Sequence, residues 1–426
     1  MRAFLLVFFS LWASAPLGAQ QACSTAAVQR DAAAVAHIRF QLRSIKLNED
    51  APDDGLPAVA QEKVPALKSA LVQTTRDVLA CNPPSVEPSA LQTQIAKLLH
   101  ANPPQPPPDA SVMNGDKRYT EWLTFNYGGN LLVTVGDLSP ELLTVTFTFH
   151  IPCGDDNLLM IFEPKLGRWR ERLLSQAPPY KEISGAFGDI YENVLLPATP
   201  RSPWRLVTVH GRPWCISRFN GFAIDVLEPT SDPDHPRIIW HTERGYSRGD
   251  GPATLKASGS IFEFRINADA MQFDSGSAFE RRVIYRYRVT GNRVERIEPI
   301  ALNARGFVEE WLSMSWHEAA AQTTDSASTA LRTLHQNFEQ QQAGTGNTFI
   351  QPSYGPVLAC KPSREYQVEM KAERDTIVPG KAGGDSTPLP STYYRVRDTG
   401  NGYQLLSASS NADPQCSGSN LMRDGK

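Results

Sequence analysis

The chain has no C-x-x-C, no H-E-x-x-H and no Gly-rich phosphate loop. Those absences remove a thioredoxin-like redox pair, a zinc-protease helix and a nucleotide cradle from consideration. Beyond one N-terminal run, no apolar stretch approaches 18 residues, so the body of the chain holds no candidate membrane-spanning helix. Neither sign of charge dominates: 42 Lys and Arg stand against 45 Asp and Glu, a formal charge of −3. Such a balance gives no electrostatic footprint for nucleic acid or an anionic membrane. Asn-x-Ser/Thr sequons are also missing, which fits a bacterial envelope. Nothing points to a cofactor or a metal, and neither is expected.

What is present begins with Met1-Arg2, an apolar run from Phe4 to Ala13, and a small-residue, Pro-containing stretch to Ala19. This layout predicts a cleaved secretory signal over 1–19, too short to span a membrane. The mature protein is therefore expected in an oxidising compartment, secreted or periplasmic, and its cysteines are expected as disulfides. Six cysteines allow many connectivities, but they fall along the chain as neighbours: Cys23 with Cys81, Cys153 with Cys215, Cys360 with Cys416. Local bridges are the simplest pairing. Lipidation of Cys23 is the rival, and Gln20-Gln21-Ala22 lacks the apolar and small residues it needs.

The composition divides the chain into a signal (1–19), a helical module (20–101), a Pro-rich linker (102–110), a β-rich domain (111–305) and an α+β domain (306–426). In the first module Ser24 is a plausible N-cap, and Val28, Val35, Ile38, Leu42 and Ile45 recur at helical spacing. A second helix is expected from about Pro65, and a third carries Leu91, Ile95, Leu98 and Leu99. Antiparallel packing of the first two would bring Cys23 beside Cys81. The linker, with five prolines between Pro103 and Pro108, cannot continue a helix and reads as a stiff spacer.

From about Tyr119 the period changes to that of strands, as in Leu143-Thr-Val-Thr-Phe-Thr-Phe-His150 and Leu158-Leu-Met-Ile-Phe162. A hairpin recurs within this region. Leu158 to Pro164 leads to Arg168-Trp169, Phe222 to Pro229 leads to Arg237–Trp240, and Val283 to Val289 leads to Val294–Ile297. The first two copies share a Glu-Pro ending, and Cys153 and Cys215 precede them. Tyr394-Arg-Val-Arg-Asp-Thr-Gly-Asn401 nearly repeats Tyr285-Arg-Tyr-Arg-Val-Thr-Gly-Asn292. A spacing of roughly 60 residues suggests an antiparallel, propeller-like or sandwich architecture. In the last domain a helix is expected over Phe307–Gln322, another around Leu331–Phe338, then strands near Val357, Tyr366 and Tyr393, with 371–390 as a polar loop. The fold class is thus multidomain and mainly β, with helices at the N-terminus and a small α+β unit at the C-terminus.

The chemistry-bearing candidates are weak as motifs. Gly245-Tyr-Ser247-Arg-Gly249 matches G-x-S-x-G, but a serine nucleophile needs a strand-to-helix turn, and Asp250-Gly-Pro252 follows instead. Arg248-Gly-Asp250 is an adhesion-type tripeptide common by chance. His241 and Glu243 share one strand face, yet no third metal ligand stands at defined spacing. Asp155-Asp156-Asn157 reads as a turn without the alternation of a calcium loop. Trp204, Trp214 and Trp240 cluster with Arg218 and Arg248, which suits sugar rings and carboxylates if the aromatics are exposed. If they are not, they fill a β core. No catalytic constellation stands out, so the expectation is an exported, disulfide-stabilised, non-enzymatic protein that binds a carbohydrate or an envelope partner through that stretch. The alternative is a secreted hydrolase of polysaccharide or ester using carboxylates such as Asp225, Glu243 or Asp250.

Overall fold

The computed structural model describes residues 23–45, 55–101, 127–200, 202–213, 215, 219–247, 252–271, 278–342, 348–376 and 385–421. The expected signal (1–19) and linker (102–110) lie outside them.

Three helices open the described chain: α1 (Thr25–Arg43), α2 (Ala58–Cys81) and α3 (Pro88–Leu98). Ser24 caps α1 by accepting from the Ala27 amide at 3.2 Å. The inner face of α1 carries Val28, Ala32, Val35, Arg39 and Leu42, the three- and four-residue spacing of one helical stripe. Helix α2 begins two turns before the expected start, leaving Pro65 inside it. Burial of Ala60, Val64, Leu67 and Leu71 on that helix stabilises more than the lost backbone bond costs. Arg39 is buried yet donates to the carbonyls of Gly128 and Leu99, both at 3.1 Å. It ties α1 to the end of α3 and the entry of the first strand. Burial, with Arg43 nearby, pushes its pKa down to about 10.

Four antiparallel sheets follow. Sheet I is β1 (Gly129–Ser139), β2 (Leu142–Ile151), β3 (Gly154–Lys165) and β4 (Arg168–Gln176). Sheet II is β5 (Tyr191–Leu196), β6 (Arg205–Arg212), β7 (Phe219–Glu228) and β8 (Arg237–Ser247). Sheet III is β9 (Thr254–Ser258), β10 (Ile261–Met271), β11 (Ala278–Thr290) and β12 (Arg293–Arg296). Helices α4 (Ala304–Ser313), α5 (Trp316–Ala321) and α6 (Ser328–Gln342) precede sheet IV: β13 (Thr348–Ala359), β14 (Glu365–Thr376), β16 (Thr392–Asp398) and β17 (Tyr403–Ser409), with β15 (Asp385–Pro388) on β14.

The layers stack in chain order. Leu42, Leu67 and Leu91 of the helices share one core with Val145, Phe147, Phe149 and Met160 of sheet I. The helices expected as a module of their own therefore cover the first sheet. The other face of sheet I meets sheet II through Leu159, Ile161, Leu206 and Leu227. Val207, Phe222 and Ile224 of sheet II then meet Phe262, Phe264 and Tyr285 of sheet III. Helices α4–α6 and sheet IV close a fourth core around Phe307, Trp311, Val368 and Tyr394, the expected α+β unit. Strand β5 lies against β9, and β1 against β5, so the leading strands of three sheets converge. Stacked four-stranded meanders with converging first strands form a propeller-like arrangement.

The recurring hairpin is the connection from third to fourth strand in every sheet: β3 to β4, β7 to β8, β11 to β12 and β16 to β17. The two Thr-Gly-Asn turns nevertheless differ. Thr290 pairs directly with Arg293 around Gly291, whose φ is +56°, whereas Asp398 pairs with Tyr403 across a four-residue loop. All three disulfides join chain neighbours as expected, Cys23–Cys81, Cys153–Cys215 and Cys360–Cys416. The second staples the β2–β3 turn of sheet I to the β6–β7 connection of sheet II.

Two expectations are corrected. The polar segment 371–390 is not wholly loop, because β14 runs on to Thr376 and β15 pairs Asp385–Pro388 against it. Main-chain pairing there needs no apolar side chains. The single helix over Phe307–Gln322 is two, α4 and α5, and Ser315 accepts from the Glu318 amide to start the second.

Candidate functional site

On β2 the sequence alternates strictly. Leu143, Val145, Phe147 and Phe149 are buried against the helices, and Thr144, Thr146, Thr148 and His150 take the opposite face. That face does not meet open solvent throughout. Where β1, β5 and β9 converge it borders a cavity of about 580 Å³, within the range of small-molecule sites. Thr134, Thr146 and Thr148 come from β1 and β2, and Asp155 and Asn157 from β3. Residues 189–193, from Asp189 to Asn193, come from the run into β5 and its first half, Pro252 and Ala253 from the run into β9, and Ile266 from β10. Three carboxylates, those of Asp155, Asp189 and Glu192, thus share one lining.

Asp155 and His150 are register partners across β2 and β3, and Oδ1 lies 2.6 Å from Nδ1. That bond raises the His150 pKa above its usual value, against the opposing effect of burial. Asn157 is consumed by structure: it accepts from Thr148 at 2.5 Å and donates to the carbonyls of Phe187 and Gly188 at 2.6 and 3.0 Å. Between the two, Asp156 points the other way, into the helices. It pairs with Lys68 of α2 at 2.7 Å, both side chains at 4% exposure or less, and accepts from Tyr180 at 2.8 Å and the Phe187 amide at 3.2 Å. Asp155-Asp156-Asn157 is therefore strand, not turn. The reversal is made earlier, at Cys153, whose φ is +63°. Gly154 leaves room for Asp189: a Cβ there would stand 2.7 Å from Oδ1. Partial burial alone raises the pKa of Glu192.

A second polar cluster lies on sheet II, on β6, β7 and β8. Phe187 stacks on His210 with centroids 3.6 Å apart. Asp225 holds His210 Nε2 at 3.1 Å and His241 Nδ1 at 2.7 Å, and Glu243 takes His241 Nε2 at 3.0 Å and Arg212. Burial opposes ionisation of Asp225, but the two imidazoles outweigh it and its pKa is lowered. Burial likewise opposes charge on His241, and the two carboxylates outweigh that, raising its pKa. With each ring nitrogen given to a carboxylate, His241 has no lone pair for a metal or a base. Among the described residues no group of three or more His, Cys, Asp and Glu is placed to hold a metal ion.

The residues singled out from sequence fare unequally. His241 and Glu243 do meet, on the shared strand face. Asp225 and Glu243 are not in the cavity lining; they are engaged with His241. Trp204 packs half-buried between sheets I and II, and Trp240 packs against Tyr287 at 4.7 Å and Phe262 at 6.3 Å between sheets II and III. Trp214, Arg218, Arg248 and Asp250 lie outside the described residues. Ser247 ends β8 in register with Phe219, so the chain is extended on its N-terminal side. Asp189, Glu192 and the threonines of β1 and β2 were missed. The β2 threonines were signalled only by the polar half of that strand's alternation, which is indistinguishable from a solvent face, and Asp189, Glu192 and Thr134 had no signal.

No family model and no curated protein matches the chain. Two solved structures resemble it remotely. One is an α-L-arabinofuranosidase from Fusarium graminearum bound to an iminosugar inhibitor, with 12% identity and a TM-score of 0.25 over 66% of this chain and 65% of that one. The other is an α-L-arabinanase from Penicillium chrysogenum bound to arabinobiose, with 14% identity and a TM-score of 0.24 over 66% and 67%. The fold and the site stand on this chain's own geometry.

Proposed function

We propose that this protein is an exported hydrolase that cleaves glycosidic bonds of a polysaccharide in the cavity between sheets I, II and III. The observation that supports this reading is the sharing of one polar cavity by Asp155, Asp189 and Glu192. Glycoside hydrolysis needs one protonated and one ionised carboxyl group flanking the scissile bond. Glu192, whose burial favours the protonated form, is the proton donor to the leaving oxygen. Asp155, paired with His150, and Asp189 face the same cavity and offer the second carboxyl group, one activating water or stabilising the positive charge that develops on the sugar ring. Threonine hydroxyls and the Asn193 amide suit the hydroxyls of a sugar. Three disulfides fit an oxidising compartment.

The test measures reducing-end release from a panel of oligosaccharides, with binding followed separately by calorimetry. Glu192→Gln is expected to lower turnover by about 10²–10⁴-fold while binding is retained. If oligosaccharides bind and none is cleaved by the wild type, the protein is a non-catalytic carbohydrate binder. If none binds, the cavity is not a sugar site.

A further inference from the structure

The face that sheet II turns toward sheet I changes character along its strands. Leu206 and Leu227 meet Leu159 and Ile161 there in an apolar layer. Two residues along, every strand contributes a polar side chain: Asn193, Thr208, Asp225 and His241 are successive register partners across β5, β6, β7 and β8. The row after that carries Tyr191, His210, Ala223 and Glu243. At the inner ends Tyr191 and Asn193 line the cavity. At the outer ends His241 and Glu243 are 44% and 40% exposed.

Asp225 joins His210 to His241, and His241 passes the chain on to Glu243. The pKa of Asp225 is lowered, so near neutrality it is ionised and can only accept. His210 therefore carries its proton on Nε2 and a lone pair on Nδ1. That Nδ1 is buried and has no hydrogen-bond partner among the described residues. The same holds for the Thr208 hydroxyl, two residues away on the same face. His210 is 4% exposed and Thr208 0%. Phe187 stacks on the imidazole at 3.6 Å, and its ring offers no donor. Buried polar atoms are paired almost without exception, with protein or with ordered water. Side chains two residues apart on a strand stand about 7 Å apart, a gap that one water spans with two hydrogen bonds.

We propose that a water molecule is bound in the layer between sheets I and II, donating to His210 Nδ1 and bonded to Thr208 Oγ1. The chemistry selects the ligand: Nδ1 only accepts, so the bound molecule must donate, and the hydroxyl serves either way. With it, hydrogen bonds run unbroken from Thr208, beside the cavity-lining Asn193, to Glu243 at the solvent edge. The site is independent of the glycoside reading, since it needs no sugar and none of the three cavity carboxylates.

Thr208→Val tests it, because valine keeps the shape and removes the hydroxyl. The variant is expected to melt about 1–3 °C lower than the wild type, the shift given by one buried acceptor losing its bridge. In a dry layer the same change removes an unpaired hydroxyl and the melting temperature rises, which overturns the proposal. Imidazole nitrogen NMR of the full chain, with His210 assigned by signal loss in His210→Gln, is expected to show the proton on Nε2. A proton on Nδ1 overturns it as well. Magnetisation transfer from water to the Thr208 methyl group is the third measurement, expected in the wild type; its absence is equally fatal.

Discussion

Sheets I and II are built from the same four-stranded meander, with the same Glu-Pro ending on the third strand and a cysteine at the same corner. Their polar residues nevertheless do different work. Glu163 of sheet I meets Arg172 at 2.8 Å at an edge where both side chains are more than 20% exposed. Glu228 of sheet II meets Arg205 at 2.9 Å with both at 10% or less, and also takes Arg237. Arg205 reaches on to the Gly291 carbonyl of sheet III. Each sheet also sets a His opposite an Asp across a strand pair, His150 with Asp155 and Asp225 with His241. In sheet I that pair borders a cavity; in sheet II a second carboxylate closes over it. The lesson is that a repeated backbone unit does not repeat its chemistry. What covers each face decides it: helices on one side of sheet I with sheet II and a cavity on the other, and a sheet on either side of sheet II.

The strongest way to break this comparison is to remove one partner of a buried pair. Arg205→Ala is expected to destabilise the protein by about 3 kcal/mol or more in denaturant unfolding, because buried Glu228 keeps only the half-exposed Arg237 and the Gly291 carbonyl loses its donor. A cost near zero would show that sheet II's pair is as solvated as sheet I's. Replacing both Cys153 and Cys215 by Ala removes the staple between the two sheets, which closes a 62-residue separation. The chain-entropy account expects roughly 4 kcal/mol, again read by denaturant unfolding. A loss below about 1 kcal/mol would mean that the sheets hold together without it.

The histidines sharpen the comparison through pH. The folded-state pKa of His241 is raised, so its contribution is full below about pH 6.5, its unfolded value, and is lost as pH climbs through the higher folded value. The pKa of Asp225 is lowered, so its contribution is present above its unfolded value, about 4, and is lost as pH falls further. His241→Gln should therefore flatten the decline in stability above neutrality, by about 1 kcal/mol or less given its exposure. Thermal melts from pH 5 to 9 would show it, and an unchanged slope would assign the decline to the other histidines whose pKa is raised, His150 and His235. The smallest effect is expected at Glu163→Ala, within about 1 kcal/mol. A loss matching Arg205→Ala would erase the distinction between the sheets.

Much of the local architecture was legible because it is written in periodicity. The stripe Val28 to Leu42, the alternation Leu143 to His150 and the capping Ser24 each depend on residues a few positions apart. The recurring hairpins were legible as hairpins, and they fall on the third and fourth strands of the sheet paths. The start of α2 was not legible, because Pro65 signals a boundary locally and only the packed face of α2 overrides it. Strand β15 was hidden for the opposite reason: Asp385 to Pro388 has no apolar signature, and its neighbour β14 supplies the pairing.

The candidate site was less visible. Asp155 and Asp156 are adjacent in the chain yet separated by the pleat, one facing a cavity and the other a buried lysine from α2. Trp204 and Trp240 clustered in sequence near arginines, but they occupy two different inter-sheet layers. The chain by itself determined most of its strands and helices and its neighbouring disulfide partners, because these follow from short-range periodicity, turn chemistry and loop closure. Only the tertiary structure decided that Thr146, Asp155, Asp189 and Glu192 share a cavity. Their assembly depends on how three sheets stack, and stacking is governed by side-chain volumes on faces far apart in the chain.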